Sequence, residues 1–517
     1  MSENFRALIV VLALGVPAFY IGGQIAGPFV SRREFIVWRN AWFAVTLAAF
    51  LSIKFLVFAV FVAMICLYVR SVRAGTICLF FVLLFGAPLV DVPIGGIGGI
   101  NSILPISNGR LLTIFLLLPI LFAKSQTGGR KSRAFVAADW LVVSYALLMM
   151  GLEFRRSELT NVLRAVVLYT LDILIPYFAF SRAVSNISDL RKVLFGFVVA
   201  VLPLSLIALV EIAKGWHLYA VVSEDWGTAF QYVRRDGLLR AAGPAPGGGA
   251  IVLGYLIMVA IGCELAVWQG SNAWRRSAKI ALIFFSAGLI ASLSRGPWVG
   301  AMVLVTAFVA MGPHAVVNLG RLAVVSVLVL VPVLLMPAGQ KLIDMLPFIG
   351  SAEAETVDYR QRLFENALIV IERNPLIGSA DYLSTPEMQA MVQGEGIVDT
   401  VNTYLEVALN SGMIGLSLFL GFFVAILIGL WRATIHGAHH KLDLGNCARA
   451  LTATLLGILV TIGTVSSVEF IPYVYWSFAG LCVAFIRIAV RQRAVAARGP
   501  YAGLSEGGVR FARDQTD

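Results

Sequence analysis

Charged residues are scarce in this sequence, at 13% of 517 residues, whereas 59% are hydrophobic. A soluble domain has about a quarter charged residues, so this scarcity excludes a soluble globular protein. The five cysteines form no Cys-x-x-Cys pair and lie in or beside apolar runs, which is typical of buried, inert thiols. The glycine-rich run 243–249 contains neither a phosphate-binding Gly-Lys-Ser/Thr loop nor a dinucleotide fingerprint. No internal repeat and no soluble catalytic domain is recognisable.

Apolar runs long enough to span a membrane occur from end to end, and they are too long for barrel strands. The sequence therefore predicts an all-α fold, a polytopic transmembrane bundle of about 12–14 helices with one large outer, periplasmic loop. The predicted parts are an N-terminal transmembrane bundle (1–336), the loop with a helical segment (337–402), C-terminal transmembrane helices (403–490) and a disordered cytoplasmic tail (491–517). The predicted early helices are 7–25, 44–69 and 74–90.

The net charge of +11 does not indicate nucleic-acid binding, because the basic residues cluster in short loops beside hydrophobic segments. Such clusters mark the cytoplasmic side, which places loops 214–247 and 337–402 outside. Two groups contradict this count: Arg32, Arg33 and Arg39, and then Arg155 and Arg156. Either early helices are miscounted, which we favour, or those loops bind something anionic.

The long loop contains an arginine pair flanked by carboxylates, from Asp358 to Glu365. Its apolar spacing predicts a helix over 355–371. Arg360 and Arg362, two residues apart, would point to nearly opposite sides, so only one of them is expected to face an anionic headgroup. The alternative is a surface helix whose arginines are merely solvated.

A polar stripe follows where the chain returns to the membrane, with Asn402, Glu406 and Asn410 four residues apart. An ionisable residue within a membrane helix is a functional candidate, although Glu406 could simply bind a neighbouring helix at headgroup depth. Ser411-Gly412 with Gly415 predicts a tightly packed stretch, most simply explained by helix–helix contact.

Two further arginines are candidates. Arg295, in Ser294-Arg295-Gly296-Pro297-Trp298, lies where a new helix begins, and the alternative is a snorkelling interfacial side chain. Arg240 precedes the glycine-rich run and is otherwise a solvated loop residue.

These segments resemble the O-antigen ligase and O-antigen/exopolysaccharide polymerase superfamily of bacterial inner membranes. The resemblance rests on Ser294–Trp298, on Arg360 and Arg362 with Asn374-Pro375-Leu376-Ile377-Gly378, and on Asn402-Thr403-Tyr404-Leu405-Glu406 with Gly412-Met413-Ile414-Gly415-Leu416. It covers roughly 240–430.

The resemblance implies a metal-independent glycosyltransferase without cofactor, acting at the periplasmic face on a glycan linked to undecaprenyl diphosphate. Arg295 and one of Arg360 and Arg362 would grip the diphosphate, whose charge grows as the glycosidic bond breaks. Arg240, Asn402 and Tyr404 would bind substrate. Membrane lipid, a chain-length regulator and a flippase are the expected partners.

The sequence departs from the ligase pattern at Val401, where ligases of this family usually carry a histidine. A valine cannot accept a proton, so the candidate bases are Asp399, Glu406 and Glu365. The departure favours a polysaccharide polymerase over a ligase acting on lipid A core or another acceptor. A lipid-linked glycan transporter is the rival from another class, and it predicts repeat symmetry, which is not recognisable here.

Overall fold

The computed structural model describes residues 2–72, 77–95, 102–122, 136–156, 159–235, 237–247, 249–268, 272–335, 354–393, 396, 398–437 and 442–497. Its helices are α1 Glu3–Ala26, α2 Arg32–Leu51, α3 Phe55–Val72, α4 Leu79–Leu84, α5 Asn108–Phe122, α6 Ala137–Leu152, α7 Leu159–Ala183, α8 Ile187–Lys214, α9 Ala220–Asp225, α10 Gly249–Val267, α11 Asn272–Ala291, α12 Arg295–Ala310, α13 Ala315–Leu335, α14 Ala354–Arg373, α15 Pro386–Gln389, α16 Thr403–Gly437, α17 Leu442–Ile462 and α18 Phe470–Ala497. Short 3-10 turns cover Glu153–Arg156 and Tyr382–Ser384.

Ten helices within these ranges are long and apolar enough to cross a membrane. The only strands in the described ranges form two small antiparallel pairs: β1 Val92–Gly95 with β2 Ser102–Ile106, and β3 Arg234–Arg235 with β4 Leu238–Leu239. The predicted all-α polytopic bundle is therefore confirmed. Its centre is formed by α8 and α10, whose apolar stretches are almost fully buried because other helices surround them.

One end of the bundle, which we call the loop face, carries residues 354–393 and 398–402 and the loop 463–469. The start of α1 lies at this face, since the indole of Trp216 after α8 donates a hydrogen bond to Glu3 at 2.9 Å. The opposite face carries the start of α2, where Lys192 contacts Glu34 at 3.0 Å.

The predicted helix 44–69 is wrong. The chain forms two helices there, because α2 ends at Leu51 and α3 begins at Phe55, with Lys54 in the gap between them. The extra helix moves Arg32, Arg33 and Arg39 to the opposite face, so the favoured miscount is confirmed for them. The predicted helix 74–90 is also wrong, because within its described part, 77–90, only Leu79–Leu84 is helical and Pro88, which lacks an N–H, follows.

The helix predicted over 355–371 is confirmed as α14. Leu363, Ala367 and Val370 on one side of α14 are buried in a small hydrophobic cluster with Leu405 and Leu409 of α16. This cluster seats the loop helix on the start of α16. Residues 337–353 of the predicted loop and 498–517 of the predicted tail lie outside the described residues, and α18 continues to Ala497.

Candidate functional site

A cavity of about 1130 Å³ opens at the loop face. Three of the residues predicted from the sequence line it, namely Arg240, Asp399 and Glu406. Its other polar and titratable wall residues include Asp91, Arg110, Asp172, Gln231, Tyr382, Gln393, Glu469 and Tyr473. Such a concave space with converging polar groups is the expected form of a binding site.

The floor of this cavity is an arginine held between two carboxylates. Arg110 contacts Asp91 at 3.1 Å and Asp172 at 2.9 Å, and the hydroxyl of Tyr473 donates to Asp172 at 2.7 Å. A π-helical segment, Thr170–Leu174, interrupts α7 at Asp172. Such segments re-aim side chains and are frequent at functional sites. The two carboxylates pair the Arg110 charge, so this arginine shapes the floor more than it offers free positive charge.

The loop 463–469, between α17 and α18, connects the candidate residues. The Thr403 hydroxyl and backbone N–H at the start of α16 both donate to the Val465 carbonyl, at 2.9 and 3.0 Å. The Ser466 hydroxyl donates to Asp399, and the Ser467 N–H donates to Glu406 at 3.4 Å. One loop therefore orients two of the three candidate bases, Asp399 and Glu406.

A second cavity of about 540 Å³ adjoins the first one. The two cavities share Asp172, Glu406, Ser467 and Pro472 in their walls. The second cavity also has Asn161, Arg164, Tyr169, Asn410, Tyr475 and Trp476 in its wall. Polar side chains beside aromatic rings suit a sugar, which has hydroxyls at its rim and apolar C–H faces. Glu406 thus lies at the junction of two spaces.

The side chains of Arg360 and Arg362 on α14 point in different directions, as the helical spacing predicts. Arg360 points toward loop 463–469 and donates to the Thr464 carbonyl at 3.5 Å. Arg362 pairs with Asp358 at 2.8 Å, and its side chain is 61% exposed. Gly296, next to Arg295, packs against the same Thr464, since a Cβ there would lie 2.4 Å from the threonine Oγ1. Gly296 beside Arg295 and the side chain of Arg360 therefore both lie next to Thr464, which precedes the wall residue Val465, and neither arginine is itself in the wall of either cavity.

Six of the nine predicted residues line neither cavity. They are Arg295, Arg360 and Arg362, and three residues with a structural contact instead, Asn402, Tyr404 and Glu365. The Asn402 side chain caps α16 by accepting from the N–H groups of Tyr404 and Leu405, at 2.9 and 3.2 Å. The Tyr404 hydroxyl donates to the Leu459 carbonyl at 2.7 Å. Glu365 is exposed on α14 and accepts from Gln361 at 3.1 Å.

Val401 lies in the wall of the larger cavity with a positive φ of 40°. Positive φ also occurs at Leu293, just before Ser294-Arg295, with 46°, and at Glu469 in loop 463–469, with 49°. Non-glycine residues in this conformation are strained by about 1–3 kcal/mol and cluster at functional sites. Two of these strained residues, Val401 and Glu469, line the larger cavity, and the third precedes the segment that contains Arg295.

Burial raises the pKa of Glu469 well above its ordinary value, and nearby Asp91 raises it further, although the Gly247 N–H donates to this carboxyl and opposes the shift. Glu469 precedes the membrane-spanning part of α18. Its side chain therefore lies in the cavity wall as a neutral, protonated group over a wider pH range than an exposed glutamate.

We expect Glu469→Gln to reduce the pH dependence of stability. The pKa of Glu469 is higher in the folded protein than in the unfolded chain, where it is near 4.5. The proton therefore stabilises the folded state fully below the unfolded-state pKa, and this contribution is lost as pH rises through the folded-state pKa. As pH rises above about 5, the wild-type melting temperature in detergent should therefore fall by more than that of the glutamine variant. Equal slopes for the two proteins would contradict the neutral state of Glu469.

Residues 280–420 match the family model described as O-antigen ligase. The match confirms the resemblance to the O-antigen ligase-like superfamily that the motifs predict. It includes Arg295, Arg360, Arg362, Asp399 and Glu406, and it supports a function of the O-antigen ligase and polymerase kind carried out by glycosyltransferase-like enzymes. No curated protein matches the chain.

The O-antigen ligase match ends before loop 463–469 and begins after Arg110, Asp172 and Arg240. The sequence pattern predicted Arg240 as a site residue but did not predict Arg110 and Asp172 at the cavity floor or the residues of loop 463–469. Two signals could have found them: the charges of Arg110 and Asp172 inside apolar segments, and the run Thr464–Ser467 with Glu469 between the last two hydrophobic segments. Within the described ranges, no three His, Cys, Asp or Glu side chains are grouped as a metal site needs.

Proposed function

We propose that this protein is a polysaccharide polymerase that joins undecaprenyl-diphosphate-linked repeat units at the periplasmic face of a bacterial inner membrane. The single observation that carries the proposal is the pair of adjoining cavities with Glu406 in the wall of both. A polymerase needs one space for the donor and one for the acceptor, with a proton acceptor between them.

The orientation follows from the distribution of basic residues. With α2 as a separate helix, Arg32 and Arg33 join Arg275 and Arg276 at the face opposite the cavities, and Arg491 follows at the end of α18. Positive charge beside membrane helices favours the cytoplasmic side. The loop face is then the periplasmic face, where lipid-linked repeat units would be available.

The larger cavity takes the diphosphate of the donor. Arg240 lies in its wall, Arg360 contacts Thr464 beside the wall residue Val465, and Gly296, next to Arg295, packs against the same threonine. A guanidinium donates two parallel hydrogen bonds to phosphate and keeps its charge at any physiological pH. We therefore assign the diphosphate contact on α14 to Arg360 and leave Arg362 to its ion pair with Asp358.

The reaction is a displacement at the anomeric carbon of the donor sugar. A hydroxyl of the acceptor sugar forms the new C–O bond, its proton passes to a carboxylate, and the old C–O bond breaks with its electron pair leaving on undecaprenyl diphosphate. The arginines stabilise the charge that grows on this leaving group. Glu406 is the first candidate for the proton acceptor because it borders both cavities, and Asp399 in the larger cavity is the second.

A ligase is the second candidate function, because the matching family model is described as O-antigen ligase. It would use the same donor and the same arginines but a different acceptor, such as lipid A core. Gel analysis of the polysaccharide from a deletion strain separates the two. Loss of long chains with retained single units indicates a polymerase, whereas long chains stranded on the carrier lipid indicate a ligase.

Arg240→Ala, Arg295→Ala and Arg360→Ala are expected to stop chain extension when each variant is expressed in the deletion strain. Each removes a charged contact to the leaving diphosphate, which by analogy with other transition-state donors costs about 10²–10³-fold in rate. Single lipid-linked repeat units should accumulate on the gel.

Arg362→Ala is the matched control, because it removes an arginine of the same helix that is 61% exposed and paired with Asp358. It should leave the chain-length distribution unchanged. Wild-type chain lengths in all three test variants, at equal expression, would contradict the proposed donor site.

A further inference from the structure

Helix α16 is broken near its first third. Gly412 has φ 64° and ψ −166°, a non-helical conformation, so α16 consists of a short half from Thr403 to Ser411 and a long half that begins at Met413. The tight packing expected at Ser411-Gly412 is present, but the close partner of Gly412 is the backbone of Leu376 in the loop and not another helix. A break within a membrane helix leaves backbone groups without intrahelical partners, and in such surroundings each must find another.

The loop segment 375–379 supplies part of these partners. Three backbone hydrogen bonds connect it to the broken helix: Met413 N–H to Pro375 O at 2.8 Å, Ile414 N–H to Leu376 O at 3.2 Å, and Ser379 N–H to Leu409 O at 2.9 Å. The contact is close, since a Cβ at Gly378 would lie 2.5 Å from the Leu409 carbonyl oxygen. We call this contact between 375–379 and 409–414 the joint.

Three further carbonyls of the joint are bound by Arg155, one of the basic residues that the sequence places unexpectedly at the loop face. Its Nη1 donates to the carbonyls of Ile377 and Gly378, at 2.8 and 3.0 Å, and its Nη2 donates to the carbonyl of Asn410 at 2.8 Å. Its Nε donates to Leu152 at the end of α6, at 3.0 Å. One guanidinium thus fastens the loop and the short half of α16 to α6.

We infer that Arg155 is a positioning residue, which fixes the short half of α16 and with it the place of Glu406 between the two cavities. Asn410, whose carbonyl Arg155 binds, lies one helical turn after Glu406, and both residues line the second cavity. The opposite end of this half-helix is held by the Asn402 cap and by Val465. Both ends are therefore fixed by contacts outside the helix.

Arginine suits this place for two physical reasons. The carboxyl end of a helix carries partial negative charge, and a cation there is stabilising. The planar fork also donates several hydrogen bonds in fixed directions, which a lysine ammonium on a flexible stem does not reproduce. Arg155 lies outside residues 280–420, so the family match does not assign it a role.

The first test measures the joint itself by hydrogen exchange of the purified full chain in detergent. Arg155→Ala should speed exchange in peptides that contain Ser379, Met413 and Ile414, whereas exchange in α10 should stay as in the wild type. Arg155→Lys keeps the charge, and exchange at the joint should be intermediate between that of the wild type and that of Arg155→Ala. If the alanine variant does not fold, the lysine variant alone tests the inference. Unchanged exchange at the joint in both variants would overturn the inference.

Arg373→Ala is the matched control. It removes another arginine that binds the same loop region, through an exposed ion pair with Glu387, and it does not touch the joint. It should leave exchange at Ser379, Met413 and Ile414 unchanged. Faster exchange at those amides in this control would mean that any loss of loop charge loosens the joint, which would overturn the specific role of Arg155.

The second test measures transfer, and here the inference rests on the proposed function. A misplaced base slows the chemical step, so Arg155→Ala should lower kcat by about tenfold to a hundredfold with little change in the KM for the lipid-linked donor, and Arg155→Lys should restore part of it. A wild-type kcat in Arg155→Ala would overturn only this inference. Absence of transfer by the wild-type protein would overturn the proposed function, and the exchange test of the joint would still stand.

Discussion

Glu406→Gln is expected to lower the rate of glycosyl transfer by about 10²–10⁴-fold, the usual contribution of a general base. Glutamine has nearly the same shape, and its carbonyl oxygen still accepts the hydrogen bond from the Ser467 N–H. The substitution therefore removes proton acceptance and leaves the surrounding contacts in place. Donor binding should persist, so the KM for the lipid-linked donor should change little while kcat falls. Transfer by purified protein, measured from initial rates, checks this.

The competing base is Asp399, and the comparison with Asp399→Asn decides between them. Asp399 is bound by the Ser466 hydroxyl and by the Val401 N–H at 3.0 Å, and it faces only the larger cavity. We expect the larger loss from Glu406→Gln. A near-normal rate in Glu406→Gln, with a severe loss in Asp399→Asn, would transfer the role to Asp399.

Glu372→Gln is the control for both variants, because Glu372 is exposed on α14 and lines neither cavity. It removes one carboxylate from the same loop and changes the net charge in the same way. Its rate should equal that of the wild type. A comparable loss in this control would show that the transfer responds to loop charge and not to a base.

The membrane helices were predictable because each one needs about 20 apolar residues, a signal that other parts of the chain rarely imitate. The break between α2 and α3 was not predictable from the sequence. Only Ser52, Ile53 and Lys54 separate the two apolar runs, and neither proline nor glycine occurs there. That single missed break moved three arginines to the wrong face. A membrane topology assigned from basic residues is therefore wrong wherever one helix boundary is missed.

The candidate site was predictable where it depends on local spacing. Two arginines two residues apart on a helix must diverge, and Arg360 and Arg362 do so. The cavity floor depends instead on contacts between distant parts of the chain, since Arg110 and Asp172 are 62 residues apart in sequence. The spacing of charges in one sequence cannot show such a pairing, because nothing local marks which distant segment a helix will contact.

The break in α16 was hidden for a related reason. Apolar residues continue on both sides of Gly412, so the run is typical of one continuous helix, and glycine alone is common where membrane helices pack closely. The backbone of 375–379, which occupies the break, comes from the loop about 35 residues earlier in the chain. A helix break that is satisfied by a distant segment has no local sequence signature beyond its glycines.

Gly412→Ala is expected to destabilise the protein and to abolish transfer. The conformation at Gly412 is one that side chains avoid at a cost of about 1–3 kcal/mol. A Cβ there would also lie 2.4 Å from the carbonyl carbon and oxygen of Leu376, which are backbone atoms and cannot rotate away. The joint must then open, and the half-helix that carries Glu406 loses its anchor. A lower melting temperature in detergent, together with loss of polymer on the gel, would agree with this.

Gly421→Ala makes the same chemical change nine residues later in α16, and it separates a specific effect at the break from a general intolerance of alanine. The nearest atom to a Cβ at Gly421 is Leu141 Cδ2 at 3.9 Å, an ordinary contact. Alanine favours a helix by up to about 1 kcal/mol over glycine, so stability should be equal or higher and transfer normal. Because the two substitutions differ only in backbone conformation and local space, equal melting temperatures for both variants would contradict the broken helix and every role assigned to the joint.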